Sequence, residues 1–309
     1  MARAGILTVV AALVVIGTSG SGLLQAQSPG ARFRAGVDLV SLSVTFTDPA
    51  QRHVTDLEIE DFVVLEEGVP QQITFFRKAD VRLALALLID SSASMEQALP
   101  IAQEAAAGFV RQLAPADVAT VIDFDSRVQV LADFTSDKTV LEEAIRRTSP
   151  GGSTSLYNSV YIALRELARI RLEDEQDGGL RRRVVVLLSD GEDTSSLVSY
   201  DEVADAAARS DTVIYTIGLG IGDNPTRRTF QDASFVLRRF AQQTGGRAFF
   251  PAQAKELLPV YREIRDELSS QYQLAYVSAG QRGQWRRVAV RVSRPGVIVR
   301  TREGYFAGS

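Results

Sequence analysis

The chain of 309 residues contains no cysteine and only one histidine, His53. Without cysteine, disulfides, thiolate nucleophiles and Cys/His zinc clusters are excluded, so stability must come from the core. His53 follows the first predicted strand in a polar turn, where we expect it to be exposed rather than catalytic. A functional site therefore has to be built mainly from oxygen-bearing side chains.

The chain also lacks a strong excess of positive charge. Its formal net charge is −4, and Lys and Arg are spread along its length, which gives no indication of nucleic-acid binding. The one basic cluster, 181–183, directly precedes an apolar run, and we interpret it as the solvated entrance to a strand. With 45% hydrophobic and 23% charged residues, the composition is that of a globular protein with room for about two domains.

A long membrane-spanning run is missing as well. The apolar stretch Gly5–Ile16 is shorter than the roughly 20 residues that a spanning helix needs. Arg3 before it and small residues after it predict a signal peptide over 1–26, cleaved after Ala26. We therefore expect export to the periplasm or outside the cell, with no membrane span after cleavage. Because Leu24 is not an ideal residue near the cut, an uncleaved anchor is the alternative.

The central region, 82–269, alternates strand and helix patterns. Its strands are continuous apolar runs, which are typical of parallel strands covered by helices on both faces. Amphipathic helical stretches lie between these strands. The second-to-last of these stretches is predicted to end at Gly245-Gly246. The pattern predicts an α/β fold with a doubly wound, mostly parallel sheet. The predicted strands are 83–89, 118–124, 184–188 and 213–217.

The flanks of this region, 33–80 and 271–306, have antiparallel character instead. Hydrophobic and polar residues alternate over 40–46, as in a half-buried strand. Because the two ends of a domain usually lie close together, we expect both flanks to build one small antiparallel β-sandwich beside the α/β region. The other predicted flank strands are 62–65, 73–76, 272–277, 288–292 and 297–301, with a turn at Arg294-Pro295-Gly296 before the last.

Oxygen-bearing residues cluster after two of the central strands. Asp90, Ser92 and Ser94 follow the first strand in an Asp-x-Ser-x-Ser pattern, and Asp190 follows the strand over 184–188. Thr154 lies between them in a loop that enters a helix. Because the carboxyl ends of parallel strands open onto one crevice, these side chains are expected to meet around a hard cation such as Mg²⁺.

These three segments resemble the metal-ion-dependent adhesion site (MIDAS) of the von Willebrand factor type A (VWFA) domain family, a Rossmann-like fold. The resemblance covers about 83–269. It implies that Asp90, Ser92, Ser94, Thr154 and Asp190 hold one Mg²⁺, or Mn²⁺ or Ca²⁺. It further implies that an acidic residue of a protein partner completes the coordination, as expected of a non-enzymatic adhesion or interaction module.

The flanking segments 61–68 and 300–305 resemble those of an exported bacterial VWFA subgroup without an assigned biochemical activity. Two departures from the family pattern leave every expected metal ligand in place. Asn158 stands where Asp is common, and Ser153 replaces a common glycine.

Two other functions stay open. A structural or assembly component would use the metal only to stabilise its loops. A metal-assisted hydrolase of the haloacid dehalogenase type would need a second aspartate at the position of Ser92, and a lysine near the strand over 184–188. Neither residue is present, and no general base is evident, so we expect no enzymatic activity.

Four acidic residues near the expected site also need an interpretation. Asp123 and Asp125 are expected in a solvated hairpin, with support of the metal ligands as the alternative. For Glu192 and Asp193 two roles stay open: support of the metal ligands, or stabilisation of a helix N-terminus.

Overall fold

The computed structural model describes residues 38–78, 81–174, 181–190, 192–220 and 228–308. The expected signal peptide, 1–26, and the start of the N-terminal flank lie outside the described residues. No helix in the described ranges is long and apolar enough to span a membrane. Residues Val37–Ser309 form one compact unit.

The described residues contain fourteen strands and six α-helices. The strands are β1 (Asp38–Thr47), β2 (Phe62–Glu66), β3 (Val69–Gln71), β4 (Ile73–Lys78), β5 (Leu83–Asp90), β6 (Val118–Phe124), β7 (Val128–Thr135), β8 (Arg182–Ser189), β9 (Thr212–Gly218), β10 (Ala248–Phe249), β11 (Tyr272–Ser278), β12 (Trp285–Val292), β13 (Ile298–Arg300) and β14 (Gly304–Phe306). The helices are α1 (Leu99–Arg111), α2 (Lys138–Arg146), α3 (Leu156–Asp174), α4 (Tyr200–Arg209), α5 (Arg228–Thr244) and α6 (Leu257–Ser270).

The central sheet has six strands in the order β10-β9-β8-β5-β6-β7. All neighbours are parallel except β6 and β7. Every residue of β5 and β9 is buried, which explains their continuous apolar sequences. The predicted doubly wound α/β fold is therefore confirmed. Strand β7 was not predicted, because only one of its eight residues is fully buried and its alternation is weak.

Helices cover both faces of this sheet. Helices α1, α2 and α6 pack on one face, where Phe109 and Tyr261 stack at a centroid distance of 5.1 Å. Helices α3, α4 and α5 pack on the other face through residues such as Leu164 and Leu237. The two hydrophobic layers hold β5 and β8 between them, so the loops after these strands start from a rigid base.

The flanks form two four-stranded antiparallel sheets, in the orders β13-β1-β11-β4 and β14-β12-β2-β3. One hydrophobic core lies between them and includes Leu42, Val64, Leu274 and Val290. The prediction that both flanks together build an antiparallel β-sandwich is therefore confirmed. Strands β2 and β4 lie in opposite sheets, because the chain changes sheet directly after β3.

Buried polar contacts join the sandwich to the α/β layer. Arg302, between β13 and β14, donates to Asp211 Oδ1 at 3.0 Å and to the Ala208 carbonyl at the end of α4 at 2.7 Å. Glu267 of α6 accepts from the Tyr215 hydroxyl at 2.6 Å and forms an ion pair with Arg300. Arg302 and Glu267 are buried, so each would lose its charged partner if the sandwich moved away from the α/β layer.

Two expectations of exposure are wrong. Arg182, in the basic cluster, is only 6% exposed and donates to Gln271 Oε1 at 2.9 Å and to the Leu268 carbonyl at 2.6 Å. It therefore tethers the end of α6 instead of meeting solvent. His53 is half-buried, and its backbone forms an isolated antiparallel bridge to Thr47 of β1.

Candidate metal centre

Asp90 lies at the carboxyl end of β5 and is completely buried. Its Oδ1 accepts from the Ser92 backbone N–H at 2.9 Å, and its Oδ2 accepts from the Ser189 hydroxyl at 2.6 Å. One carboxylate therefore fixes the loop that follows β5 and the end of β8 together. This is a positioning role, since each oxygen already has a protein donor.

Ser92 and Ser94 place two hydroxyl oxygens side by side. Their Oγ atoms are 3.1 Å apart; Ser92 is buried, whereas Ser94 is exposed. Two neighbouring ligands of an octahedral Mg²⁺, each about 2.1 Å from the metal, lie about 3.0 Å from one another. The hydroxyl pair is thus spaced as two adjacent metal ligands would be.

The charges near these hydroxyls favour a cation. Burial is the main cause that raises the pKa of Asp90 to about 6; the negative charge of Asp190 acts in the same direction, and hydrogen bonds from Ser189 and Ser92 oppose both. A buried carboxylate such as Asp90, whose ionisation is disfavoured by burial and by a neighbouring negative charge, is stabilised by a positive charge beside it. The donor set and its electrostatics therefore fit a divalent cation.

The loop that carries Thr154 is tied to the loop after β5 through the backbone. The Gly151 N–H donates to the Ser91 carbonyl at 2.8 Å, and the Ala93 N–H donates to the Gly152 carbonyl at 3.2 Å. Gly152 has a φ of +70°, and a Cβ there would lie 2.9 Å from the Ser126 hydroxyl. Glycine at position 152 thus allows the Thr154 loop to approach the turn between β6 and β7 closely.

Thr154 is also bonded to the loop after β8. Its N–H donates to Thr194 Oγ1 at 2.9 Å, and its carbonyl accepts from the N–H groups of Thr194 and Ser195 at 2.9 and 3.1 Å. The Oγ atoms of Ser155 and Ser195 are 2.9 Å apart. The three loops of the expected site consequently form one hydrogen-bonded unit.

The structure assigns Asp193 to the N-terminus of α3. Its Oδ1 accepts from the Tyr157 N–H at 3.1 Å and from the Ser196 hydroxyl at 2.6 Å, where a carboxylate complements the helix dipole. Glu192 is exposed, and its N–H lies 3.4 Å from Asp190 Oδ1.

The sequence interpretation missed several residues that hold the loops. Ser189 supports Asp90, whereas Thr194, Ser195 and Ser196 attach the loop after β8 to α3 and to the loop before it. Asn158 accepts from two backbone N–H groups of the same loop. The sequence feature that could have indicated them is the run of hydroxyl residues over 194–196. It was missed because such a run is also typical of ordinary turns.

Asp123 and Asp125 differ in their surroundings. Asp125 lies in the turn of the predicted hairpin and accepts from the Arg127 N–H at 2.7 Å. Asp123 is half-buried, and its Oδ1 has no hydrogen-bond partner among the described residues. Burial raises its pKa. The expectation of a solvated residue therefore holds for Asp125 better than for Asp123.

The expected ligands lie on connected loops. Asp90, Ser92 and Ser94 belong to one hydrogen-bonded turn, Thr154 lies on the loop bonded to it, and the charge of Asp190 acts on Asp90. Joint coordination of one ion by all five stays a prediction. The described residues hold no group of three or more His, Asp or Glu side chains suited to a metal, but three of the five expected ligands are hydroxyls.

Comparison with known proteins identifies the central layer. Residues 85–192 match the von Willebrand factor type A domain family, and the sheet topology agrees. The central layer therefore contains a segment that matches the von Willebrand factor type A domain model and has the corresponding fold. No curated protein matches the sequence.

Solved structures support the fold. A von Willebrand factor type A protein from Catenulispora acidiphila is 13% identical, with 87% of this chain and 74% of that chain covered and a TM-score of 0.51. The pilus adhesin SpaC from Lactobacillus rhamnosus GG, in an open conformation, is 9% identical, with a TM-score of 0.50. That match covers 78% of this chain and 47% of the adhesin, so the present chain spans about half its length.

Proposed function

We propose that this protein is an exported, metal-dependent binding module whose partner presents an acidic side chain. The observation that carries the proposal is the pair of Ser92 and Ser94 hydroxyls, 3.1 Å apart, beside the buried acid Asp90. Thr154 and Asp190 complete the proposed donor set. Mg²⁺ is the first choice among Mg²⁺, Mn²⁺ and Ca²⁺, since all three accept oxygen ligands.

Each group in this set has a distinct role. The three hydroxyls provide neutral oxygens, whereas Asp90 and Asp190 provide compensating negative charge. A bound cation would supply a positive centre with a position left for a carboxylate from another protein. Asp190 and the exposed Glu192 would otherwise repel an acidic partner, so binding is expected to require the metal.

Binding is a better proposal than catalysis. A hydrolytic reaction needs a positioned nucleophile or base. Asp90, the one buried acid beside the hydroxyl pair, already accepts hydrogen bonds from Ser92 and Ser189. A purely structural role for the metal is also less well supported, because the loops already hold each other through hydrogen bonds between protein groups.

The metal requirement can be tested by thermal unfolding of the intact protein. Mg²⁺ or Mn²⁺ at a hundredfold excess over its Kd should stabilise the fold by about 2.7 kcal/mol, which raises Tm by several degrees. Asp90→Ala should abolish this shift. Ser94→Ala removes one exposed hydroxyl and should reduce the shift, whereas Ser126→Ala, an exposed hydroxyl on the neighbouring hairpin, should leave it unchanged.

A wild-type protein whose Tm does not respond to Mg²⁺, Mn²⁺ or Ca²⁺ would contradict the proposal. The structural alternative is separated by recovering partners with wild type and with Asp90→Ala. Equal recovery by the two proteins would favour the structural role over metal-dependent binding.

A further inference from the structure

Leu197, in the loop after β8, is the most exposed large hydrophobic side chain among the described residues. It is 94% exposed, and the next highest value is 59%, for Val69 of the sandwich. Isolated exposed hydrophobic residues are common on protein surfaces, so exposure alone does not indicate a function. Whether Leu197 has a function depends on how its backbone is held and on where it lies relative to the candidate metal centre.

The backbone at Leu197 is held in place by α3. Asn158 Oδ1 accepts from the N–H groups of Leu197 and Val198 at 3.1 and 3.2 Å. The preceding residue, Ser196, accepts from the Asn158 N–H at 3.0 Å and donates to Asp193 at 2.6 Å. The leucine is therefore presented to solvent from a fixed backbone, which lowers the entropy cost of binding through it.

The same loop is bonded to the expected ligand loop. Thr194 exchanges hydrogen bonds with the backbone of Thr154. Leu197 is three residues further along the chain, and three extended residues span at most about 11 Å. Leu197 therefore lies on the loop that is hydrogen-bonded to the expected ligand loop, beside the candidate metal centre.

We propose that Leu197 is a specificity-determining contact that binds an apolar side chain close to the partner's acidic residue. This inference rests on the proposed function and adds the chemistry of the second contact. Glu192 and Asp190 on the same loop disfavour a second acidic group there. The partner is thus a protein segment with one carboxylate and a neighbouring hydrophobic side chain.

The test is selection from a library of displayed random peptides with the full chain and Mg²⁺. Wild type should select peptides that pair an acidic residue with an apolar one within a few positions. Leu197→Ser should keep the acidic residue, lose the apolar preference, and bind the wild-type peptides about tenfold or more weakly. Leu197→Met should restore binding, and Val69→Ser, a remote exposed hydrophobic residue, should behave as wild type.

The outcomes separate the two proposals. If wild type selects no Mg²⁺-dependent peptide, the proposed function fails and this inference fails with it. If wild type and Leu197→Ser select the same Mg²⁺-dependent acidic peptides with equal affinity, only the role of Leu197 is overturned. The Mg²⁺-induced rise in Tm should be the same in wild type and Leu197→Ser, which shows that the variant is folded and binds metal.

Discussion

At the scale of single residues, Asn158 connects helix and loop. Its side-chain oxygen satisfies two backbone N–H groups of the loop after β8, and its own N–H donates to Ser196. The family resemblance identified Asn158 only as a departure from a common Asp. Asn and Asp can both fill this role, because each side chain carries an oxygen that accepts two hydrogen bonds.

Asn158→Ala should lower the free energy of unfolding by about 1 kcal/mol, because it removes the acceptor of the Leu197 and Val198 N–H groups, which are at least partly open to water. Urea unfolding measures this loss. Asn158→Asp is the matched control; it keeps the acceptor and should stay within about 0.5 kcal/mol of wild type. An alanine variant as stable as the aspartate variant would contradict the proposed anchoring.

At the scale of secondary structure, Gly245-Gly246 ends α5 where its sequence pattern predicted. Gly245 has a φ of +81°, typical of a helix C-terminus. Gly246 meets a different demand: a Cβ there would lie 2.1 Å from the carbonyl oxygen of Ile214 in β9. The sequence indicated the stop, but the contact with β9 exists only after the helix has packed on the sheet.

Gly246→Ala is therefore expected to destabilise the protein by about 3 kcal/mol, since the backbone of β9 or the helix end must move. Differential scanning calorimetry should show a Tm lower by several degrees. Gly151→Ala provides the control, because a Cβ at that position meets no atom within 4 Å. A comparable loss of stability in both variants would refute the close-approach argument.

At the scale of the whole molecule, Glu66 of β2 connects the N-terminal flank to the C-terminal flank within the sandwich. It is 3% exposed and accepts from Ser278 at 3.0 Å, Tyr305 at 2.9 Å and Arg286, whose Nη2 lies 2.8 Å away. Burial alone would raise the pKa of Glu66, but the hydrogen bonds outweigh burial and hold the pKa below its ordinary value of 4.5.

Because the folded state lowers the pKa of Glu66, its contribution to stability is complete above about pH 4.5. It is lost as the pH falls through the folded-state pKa. Glu66→Gln should flatten the fall in Tm below pH 4.5 and lower stability at pH 7 by about 1–3 kcal/mol. Glu104→Gln, at an exposed carboxylate, should leave both unchanged. An unaltered acid profile in Glu66→Gln would show that this carboxylate is not linked to folding.

The sequence by itself determined the features encoded within a few residues. Apolar runs specified the buried parallel strands, alternation specified the flank strands, and the order of Asp90, Thr154 and Asp190 indicated the candidate site. Tertiary structure decided the burial of Arg182 and the network around Glu66, whose partners are more than 200 residues away along the chain. Local patterns do not encode such contacts, because a polar side chain reveals its partner only when the core brings distant strands together.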